Sequence, residues 1–471
     1  MKTYEALRKQ YQQFIYHGFE VEDDEEKVVI TYDFEIPGLS SFAPSWEIPL
    51  PDSEKAIDRD DDVFLNLAFS LGMVELISYW KIACPKEVII EPCGLDEEQI
   101  AWWKRLYFNG LGEFYYTNGI EEDQEGFMEI TAKGKAWHPK KKNGKLTGDG
   151  CLIPVGGGKD SAVTLDILRS RKDNNYCYII NSRAATLDTA AVSDYDLAHI
   201  IDVRRTLDKR MLQLNEEGYL NGHTPFSAIV AFSATLTAYL YGLTYIPLSN
   251  ESSANESTVK DSYVNHQYSK SFQFESDFHN YEKKYLASGT YYFSLLRPLS
   301  EFQIAAYFSK VKKYHELFRS CNAGSKRNIW CCNCPKCLFV WLILSPFLSQ
   351  PRLKEIFGIN MANKLKMEDD FRKLIGLDEE KPFECVGSRD EINCAITLAI
   401  RDYPKGVRKP ALFYKYKRWG MYDKYLADCE KYFYYYDHEN LLPEEFEELF
   451  IQELKKRGAY RDSNGKKSDK S

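Results

Sequence analysis

The sequence predicts an α/β protein: a central parallel sheet covered by helices on both faces, with an α+β region before it and a helical region after it. Three observations predict it. Short apolar runs alternate with helix-like segments from Gly150 to about Gln350. A run of three glycines stands between the first of those runs and the first of those helices. Beyond Pro351 the chain is helical in pattern and rich in aromatics.

The first region, residues 1–147, holds extended stretches at 28–36, 88–91 and 127–131. It also holds two helices. Residues 63–82 are apolar on most faces, which predicts a buried helix, and 97–109 form an aromatic-rich one. Residues 138–149, rich in lysine and glycine, read as a linker or exposed loop. The second region, 148–350, carries strands at 151–155, 176–181, 199–204 and 245–248. Between the last two lies a helix over 226–241, its start marked by Thr224 and Pro225. The third region, 351–457, is helical, and residues 458–471 have so little apolar content that disorder is expected.

The chain has 471 residues, enough for two or three domains, and a net charge of −9. Its basic residues form no broad surface signature beyond a short run after Lys455, which argues against general nucleic-acid binding. The first residues lack the apolar core of a signal peptide, and the apolar run 337–348 is too short to span a bilayer. A cytoplasmic protein with no membrane insertion is expected, and its twelve cysteines should be thiols or metal ligands. Nothing in the sequence fixes the oligomeric state.

The glycine run is Pro154-Val155-Gly156-Gly157-Gly158-Lys159-Asp160-Ser161. Three glycines alone also make ordinary turns. Between a strand and a helix they let backbone N–H groups approach a phosphate, and the helix start favours the anion. Lys159 adds a positive charge and Ser161 a hydroxyl. Asp160 belongs beside a phosphate only with a cation such as Mg²⁺ between them. The spacing is too short for the GxxxxGK[ST] loop. The other strand ends are polar as well: Asn181-Ser182-Arg183, Arg204-Arg205, and the run from Ser249 to Glu256. In a parallel sheet these ends converge on one cleft.

Cys321, Cys331, Cys334 and Cys337 form C-x9-C-x2-C-x2-C, with Cys332 left over. That spacing suits a structural Zn²⁺ held by four thiolates, and an iron–sulfur cluster is the competing occupant.

The glycine run resembles the SGGxDS pyrophosphatase loop (PP-loop) of the adenine-nucleotide alpha-hydrolase-like superfamily, which has the HUP-like parallel sheet and cleaves ATP to AMP and pyrophosphate. It departs from that loop in having Gly156 where the first serine stands. A four-cysteine knuckle after such a loop is similar to the 7-cyano-7-deazaguanine synthase branch. A longer resemblance covers nearly the whole chain. FSLGMVELISYWK from Phe69, GLGEFYYTNGI from Gly110, LNGHTPFSAI from Leu220, LSNESSANES from Leu248, VNHQYSKSFQFE from Val264, SCNAGSKRNIWCCNCPKC from Ser320 and KPFECVGSRDE from Lys381 together resemble the UDP-N-acetyl-α-D-muramoyl-L-alanyl-L-glutamate epimerase family.

That resemblance implies an enzyme of peptidoglycan precursor synthesis. It would use ATP and Mg²⁺ to convert the terminal L-glutamate of a UDP-linked muramoyl dipeptide to D-glutamate. Adenylating the free carboxylate would mask its charge and acidify the neighbouring Cα–H. Gly156, Gly157, Gly158, Lys159, Asp160 and Ser161 would hold the triphosphate and Mg²⁺. Arg183, Asn250, Glu251 and Glu256 are further ligand candidates, and Arg204, His266, Lys270 and Arg297 are candidates for substrate phosphates or carboxylates. His223 could equally cap a helix. For proton transfer the first choice is Cys385 with Glu384 beside it, and Cys93 is the second. The alternatives are another ATP pyrophosphatase of the same fold, such as a 7-cyano-7-deazaguanine synthase-like ligase or a tRNA-modifying enzyme, and a non-catalytic nucleotide-binding module.

Overall fold

The computed structural model describes residues 2–51, 58, 60–136, 139, 148–258 and 265–462. Most of the expected linker at 138–149 lies outside them, as do residues 463–471 of the expected tail. The nearer part of that tail is placed: Ala459 is buried, and the Arg461 N–H donates to the Phe433 carbonyl at 2.7 Å.

Eleven strands form one mixed sheet: β1 (Gln13–Asp23), β2 (Lys27–Ile36), β3 (Ser40–Phe42), β4 (Ser45–Pro49), β5 (Glu87–Ile90), β6 (Glu129–Ala132), β7 (Gly148–Pro154), β8 (Tyr176–Ile180), β9 (Ile200–Thr206), β10 (Leu243–Leu248) and β11 (Tyr291–Ser294). Their order is β11-β10-β7-β8-β9-β4-β2-β1-β5-β6, with β3 paired to β2. The five strands from β11 to β9 are all parallel. Counted within that half, the order is 3-2-1-4-5, and it reverses direction between β7 and β10. A cleft at the carboxyl ends of such strands is the usual ligand site.

The two halves are joined edge to edge. β4 pairs antiparallel with β9, Trp46 opposite Arg205. Beside that seam the Glu75 carboxylate, fully buried, accepts from Arg205 Nε at 2.9 Å, Arg205 Nη2 at 2.7 Å and Trp46 Nε1 at 3.2 Å.

Alternate residues of the central strands serve opposite cores, as the pleat requires. Leu152 and Tyr178 face one layer, packed with the helices Asp62–Trp80 and Phe226–Leu240. Ile153, Cys177 and Ile179 face the other, packed with Pro335–Leu344 and the carboxyl-terminal helices. The helix Asp62–Trp80 is long and apolar enough to cross a membrane by composition, but it is almost wholly enclosed by protein. Gly72 allows its close approach to the sheet: a Cβ there would lie 2.2 Å from the Tyr16 hydroxyl. The helix Phe226–Leu240 has no side-chain cap, and Thr224, which marks its start, accepts at Oγ1 from Lys81 Nζ at 2.8 Å.

Candidate active site

The chain leaves β7 through Val155 and Gly156–Gly158 and enters the helix Lys159–Ile167, whose start has no side-chain cap. Gly157 has φ +75°, and a Cβ on it would lie 2.9 Å from the Ala185 carbonyl carbon. The Arg319 N–H donates to the Gly157 carbonyl at 2.8 Å, so the loop is held from outside as well.

A cavity of about 420 Å³ opens over this loop. Gly156, Gly158, Asp160 and Ser161 form its floor, and Ser249 and Asn250 follow from the end of β10. Arg183, Lys270, Arg319 and Lys336 supply four cationic groups to its wall, against the carboxylates of Asp160 and Glu384. Cys385 completes that wall. Among the described residues Arg183 has no carboxylate partner; its Nη1 donates to Ser325 Oγ at 2.6 Å. A basic pocket over a glycine loop and a helix start suits a polyphosphate.

Lys159 sits apart from the cavity lining. Its ammonium is buried and bound to both Asp160 Oδ1 and Glu301 Oε2. Burial would raise the Asp160 carboxyl, but the Lys159 and Lys336 charges outweigh it and hold the carboxyl below its usual range. Glu301 is pushed the other way by burial, to about 7 against the pull of Lys159. Lys159 thus orients Asp160 from below, leaving Asp160 to face the cavity.

Cys385 belongs to the segment between Lys381 and Ser388, and that segment is pinned to the central region. Lys381 Nζ pairs with Glu256 Oε2 at 2.6 Å, and Gln267 Nε2 donates to the Val386 carbonyl at 3.2 Å. Lys270 Nζ stands 3.3 Å from Cys385 Sγ. Burial alone would raise the thiol; Lys270, His266 and Lys336 outweigh it and hold it down at about 6. Burial also raises the Glu384 carboxyl, whose Oε2 accepts from Asn322 Nδ2 at 2.9 Å.

Cys321 Sγ and Cys334 Sγ are 3.9 Å apart, Cys331 Sγ and Cys337 Sγ 3.7 Å, and all four sulfurs lie within 4.8 Å of one another. Sulfurs about 2.3 Å from one tetrahedral metal stand roughly 3.8 Å apart, so the set fits a single ion. A multi-iron cluster would hold them farther apart. N–H groups of Gly324, Asn333 and Cys337 point at three of these sulfurs, at 3.2, 3.4 and 3.5 Å, and such donors stabilise thiolates. Ser320, Cys321 and Asn322 also line the cavity, so the cluster braces its rim.

Other sequence candidates stand elsewhere. Glu251 is buried beside the cavity but does not line it, while Asn250 does, with its Nδ2 3.1 Å from Ser294 Oγ. Glu256 is taken up by Lys381 and Arg389, and Arg297 by a fully buried pair with Glu275. Arg205 is bound to Glu75, and Arg204 lines a separate recess with Lys27, Glu47 and Asp202. Cys93 is buried with its Sγ 3.1 Å from the Gly94 carbonyl and is not in the lining. Glu301 lies in no motif, and Glu113 lies in the GLGEFYYTNGI run without anything there that marks it as a site residue; only packing brings them to the site.

A model described as the MurL N-terminal domain matches residues 5–295, and one described as the MurL C-terminal domain matches residues 317–411. A UDP-N-acetyl-alpha-D-muramoyl-L-alanyl-L-glutamate epimerase of Xanthomonas oryzae pv. oryzae is 33% identical over 337 residues, 70% of this chain and 73% of that protein. Proteins of the same description from Micromonospora sp. and Salinispora tropica are 33% and 32% identical, each over 367 residues, covering 77% of this chain and 80% and 79% of theirs. No solved structure matches significantly.

Proposed function

We propose that this chain, which belongs to the UDP-N-acetyl-alpha-D-muramoyl-L-alanyl-L-glutamate epimerase family, inverts the terminal glutamate of UDP-MurNAc-L-Ala-L-Glu in the cytoplasm, at the expense of ATP. The observation that carries the reading is the meeting, in one cavity, of a phosphate-type glycine loop and the Cys385 thiol, with Lys270 Nζ 3.3 Å from its sulfur. The 3-2-1-4-5 order of the parallel half, with the loop at its reversal point, supports the PP-loop assignment.

ATP is a substrate here. Its α-phosphorus is attacked by the free α-carboxylate of the glutamate; the bond to the β-phosphate breaks, and pyrophosphate leaves. The resulting acyl adenylate carries no carboxylate charge, so its Cα–H can be removed without piling a second anion beside the first. The residues divide this work. Gly156, Gly158 and Ser161 receive the phosphates, Gly157 shapes the turn, and Arg183 and Lys336 balance their charge. Asp160 would hold a Mg²⁺, which would neutralise phosphate charge. The Cys385 thiolate takes the Cα proton and becomes a thiol, while the electron pair delocalises into the acyl group. Glu384, with its carboxyl raised by burial, returns a proton to the other face. Water then hydrolyses the mixed anhydride, releasing AMP and the D-glutamyl product. The four cysteines would hold one structural Zn²⁺ and so fix the cavity rim.

The test is incubation with UDP-MurNAc-L-Ala-L-Glu, ATP and Mg²⁺, followed by chiral analysis of the glutamate and separation of the nucleotides. D-Glutamate with AMP and pyrophosphate is expected. ADP and phosphate would overturn the adenylation step, and unchanged L-glutamate the epimerase reading.

A further inference from the structure

Behind Cys385, away from the glycine loop, three side chains from distant parts of the chain meet. Glu113 lies on the helix Gly112–Asn118, and its Oε2 binds His266 Nδ1. His266 in turn lies near enough to Cys385 for the charge of each to act on the other. Its backbone is fixed by an N–H donated to Thr258 Oγ1 at 3.0 Å. The Phe383 ring, two residues before Cys385, packs 6.4 Å from the His266 ring and 5.3 Å from that of Tyr116. The same aromatic contacts therefore hold the thiol segment, the histidine and the Glu113 helix in register.

We propose that Glu113 and His266 are positioning residues for Cys385: Glu113 keeps His266 as an imidazolium, and the imidazolium keeps Cys385 as a thiolate. The proposal deepens the function above, since it assigns what makes the proton-abstracting group available at neutral pH.

The charges around the pair are consistent. Facing Cys385 are Lys270, His266 and Lys336, with Glu384 the opposing carboxylate. Lys270 is itself flanked by Glu251 and Asp160. Facing His266 are Cys385, Glu113 and the His223 ring, 4.3 Å away between centroids. Burial would lower His266, but Cys385 and Glu113 outweigh it and bring it up to about 9. His223 is pushed down to about 3 by burial and by the charges of His266, Lys81 and Lys270. A neutral His223 next to a charged His266 is the arrangement one carboxylate can support. Glu113, His223 and His266 also lie within 4.8 Å of one another, close enough to share a cation. The two lysines acting on His223 oppose that occupant.

A lysine beside a thiol would by itself favour the thiolate, and Lys270 is there. His266 adds a second cation acting on the thiol, and the pair divides the load when substrate enters. Lys270 lines the cavity and can turn to the substrate carboxylate; His266 is not in the lining and stays on the thiol. When Cys385 takes the Cα proton, the imidazolium charge left behind is still matched by Glu113, so no proton has to move on His266.

The test is alkylation by iodoacetamide of the full-length protein, free of substrate, with the rate at Cys385 resolved by peptide mass spectrometry from pH 5 to 10. The wild-type midpoint is expected near 6. His266→Asn should raise it by at least one unit, and Glu113→Gln, which keeps size and fold, by a smaller amount. In epimerisation assays both variants should lose kcat at pH 7 in step with the thiolate lost, about twofold or more for His266→Asn and less for Glu113→Gln, with KM nearly unchanged, and recover much of it at pH 9 as the thiol ionises. A purely structural role would produce no such alkaline recovery. A wild-type midpoint near 9, or midpoints in both variants equal to wild type, would overturn the proposal. Because alkylation needs no substrate, the expected midpoint shifts without epimerisation would leave the relay standing and fault the function instead.

Discussion

At the scale of single residues the site depends on two kinds of placement. One is conformational. Gly157 occupies φ +75° against the Ala185 backbone, where an L side chain costs about 1–2 kcal/mol before any clash. Gly157→Ala should therefore abolish ATP binding, measured by calorimetry, while lowering stability modestly. The other is electrostatic. Cys385 is half-buried, yet its thiol is held at about 6 by Lys270, His266 and Lys336 against the effect of burial. The reactive form is thus the thiolate above that pH and the thiol below it. kcat/KM should rise as pH climbs through about 6, as the thiol gives up its proton. Cys385→Ser should suppress exchange of the Cα proton with deuterated solvent by at least 100-fold, followed by mass spectrometry of the muramoyl peptide. Normal exchange would remove Cys385 from the mechanism. The residues from Lys381 to Glu391 are legible in sequence as a motif, and Cys385 could be singled out there. Its neighbours His266 and Lys270 stand out in sequence only as candidates for substrate groups, and Glu113 lies 272 positions upstream, where nothing local marks a carboxylate destined for a buried histidine.

At the scale of elements the reading from sequence succeeds where a pattern is complete within one segment. The helix Asp62–Trp80 shows apolar residues on every face and is buried on every face. The strands β7 to β10 fall within a few residues of their expected places, because fully buried parallel strands read as continuous apolar runs. β1 escapes notice for the opposite reason. Its sequence QFIYHGFEVED carries Gly18 at a register shift between Tyr16 and Gly18, which breaks the alternation that marks a strand. β11 is four residues long, below what periodicity can resolve. The cysteine element reads directly from spacing, and its sulfurs gather as a four-ligand set. Purified protein should carry about one zinc per chain. Cys337→Ala should lose it and, by loosening the Ser320–Asn322 rim, weaken ATP binding at least tenfold; elemental analysis and calorimetry check the two effects.

At the scale of the whole molecule the sheet is continuous across the first two regions of the sequence, and the seam between β4 and β9 is the point of interest. Glu75 on the helix Asp62–Trp80 accepts from Arg205 and Trp46 in a fully buried setting. Removing the carboxylate would leave the largely buried Arg205 guanidinium without its partner, at a cost of about 3–5 kcal/mol. Glu75→Ala should lower the unfolding free energy by that amount in urea titrations. It should also weaken activity at a distance, because the Glu113 helix belongs to the first region and the Cys385 segment to the third.

The sequence by itself determined the glycine loop between strand and helix, the four cysteines that gather, the class of fold and the family, because each is written in near-contiguous residues with fixed backbone or ligand demands. Only the tertiary structure decided which charges surround Cys385, that Lys159 turns inward to Glu301, and that Arg205 holds the sheet together instead of facing the cleft. Those outcomes depend on which side chains are buried together, and burial is set by the packing of segments hundreds of residues apart, where a charge's partner decides whether it binds a ligand or the protein itself.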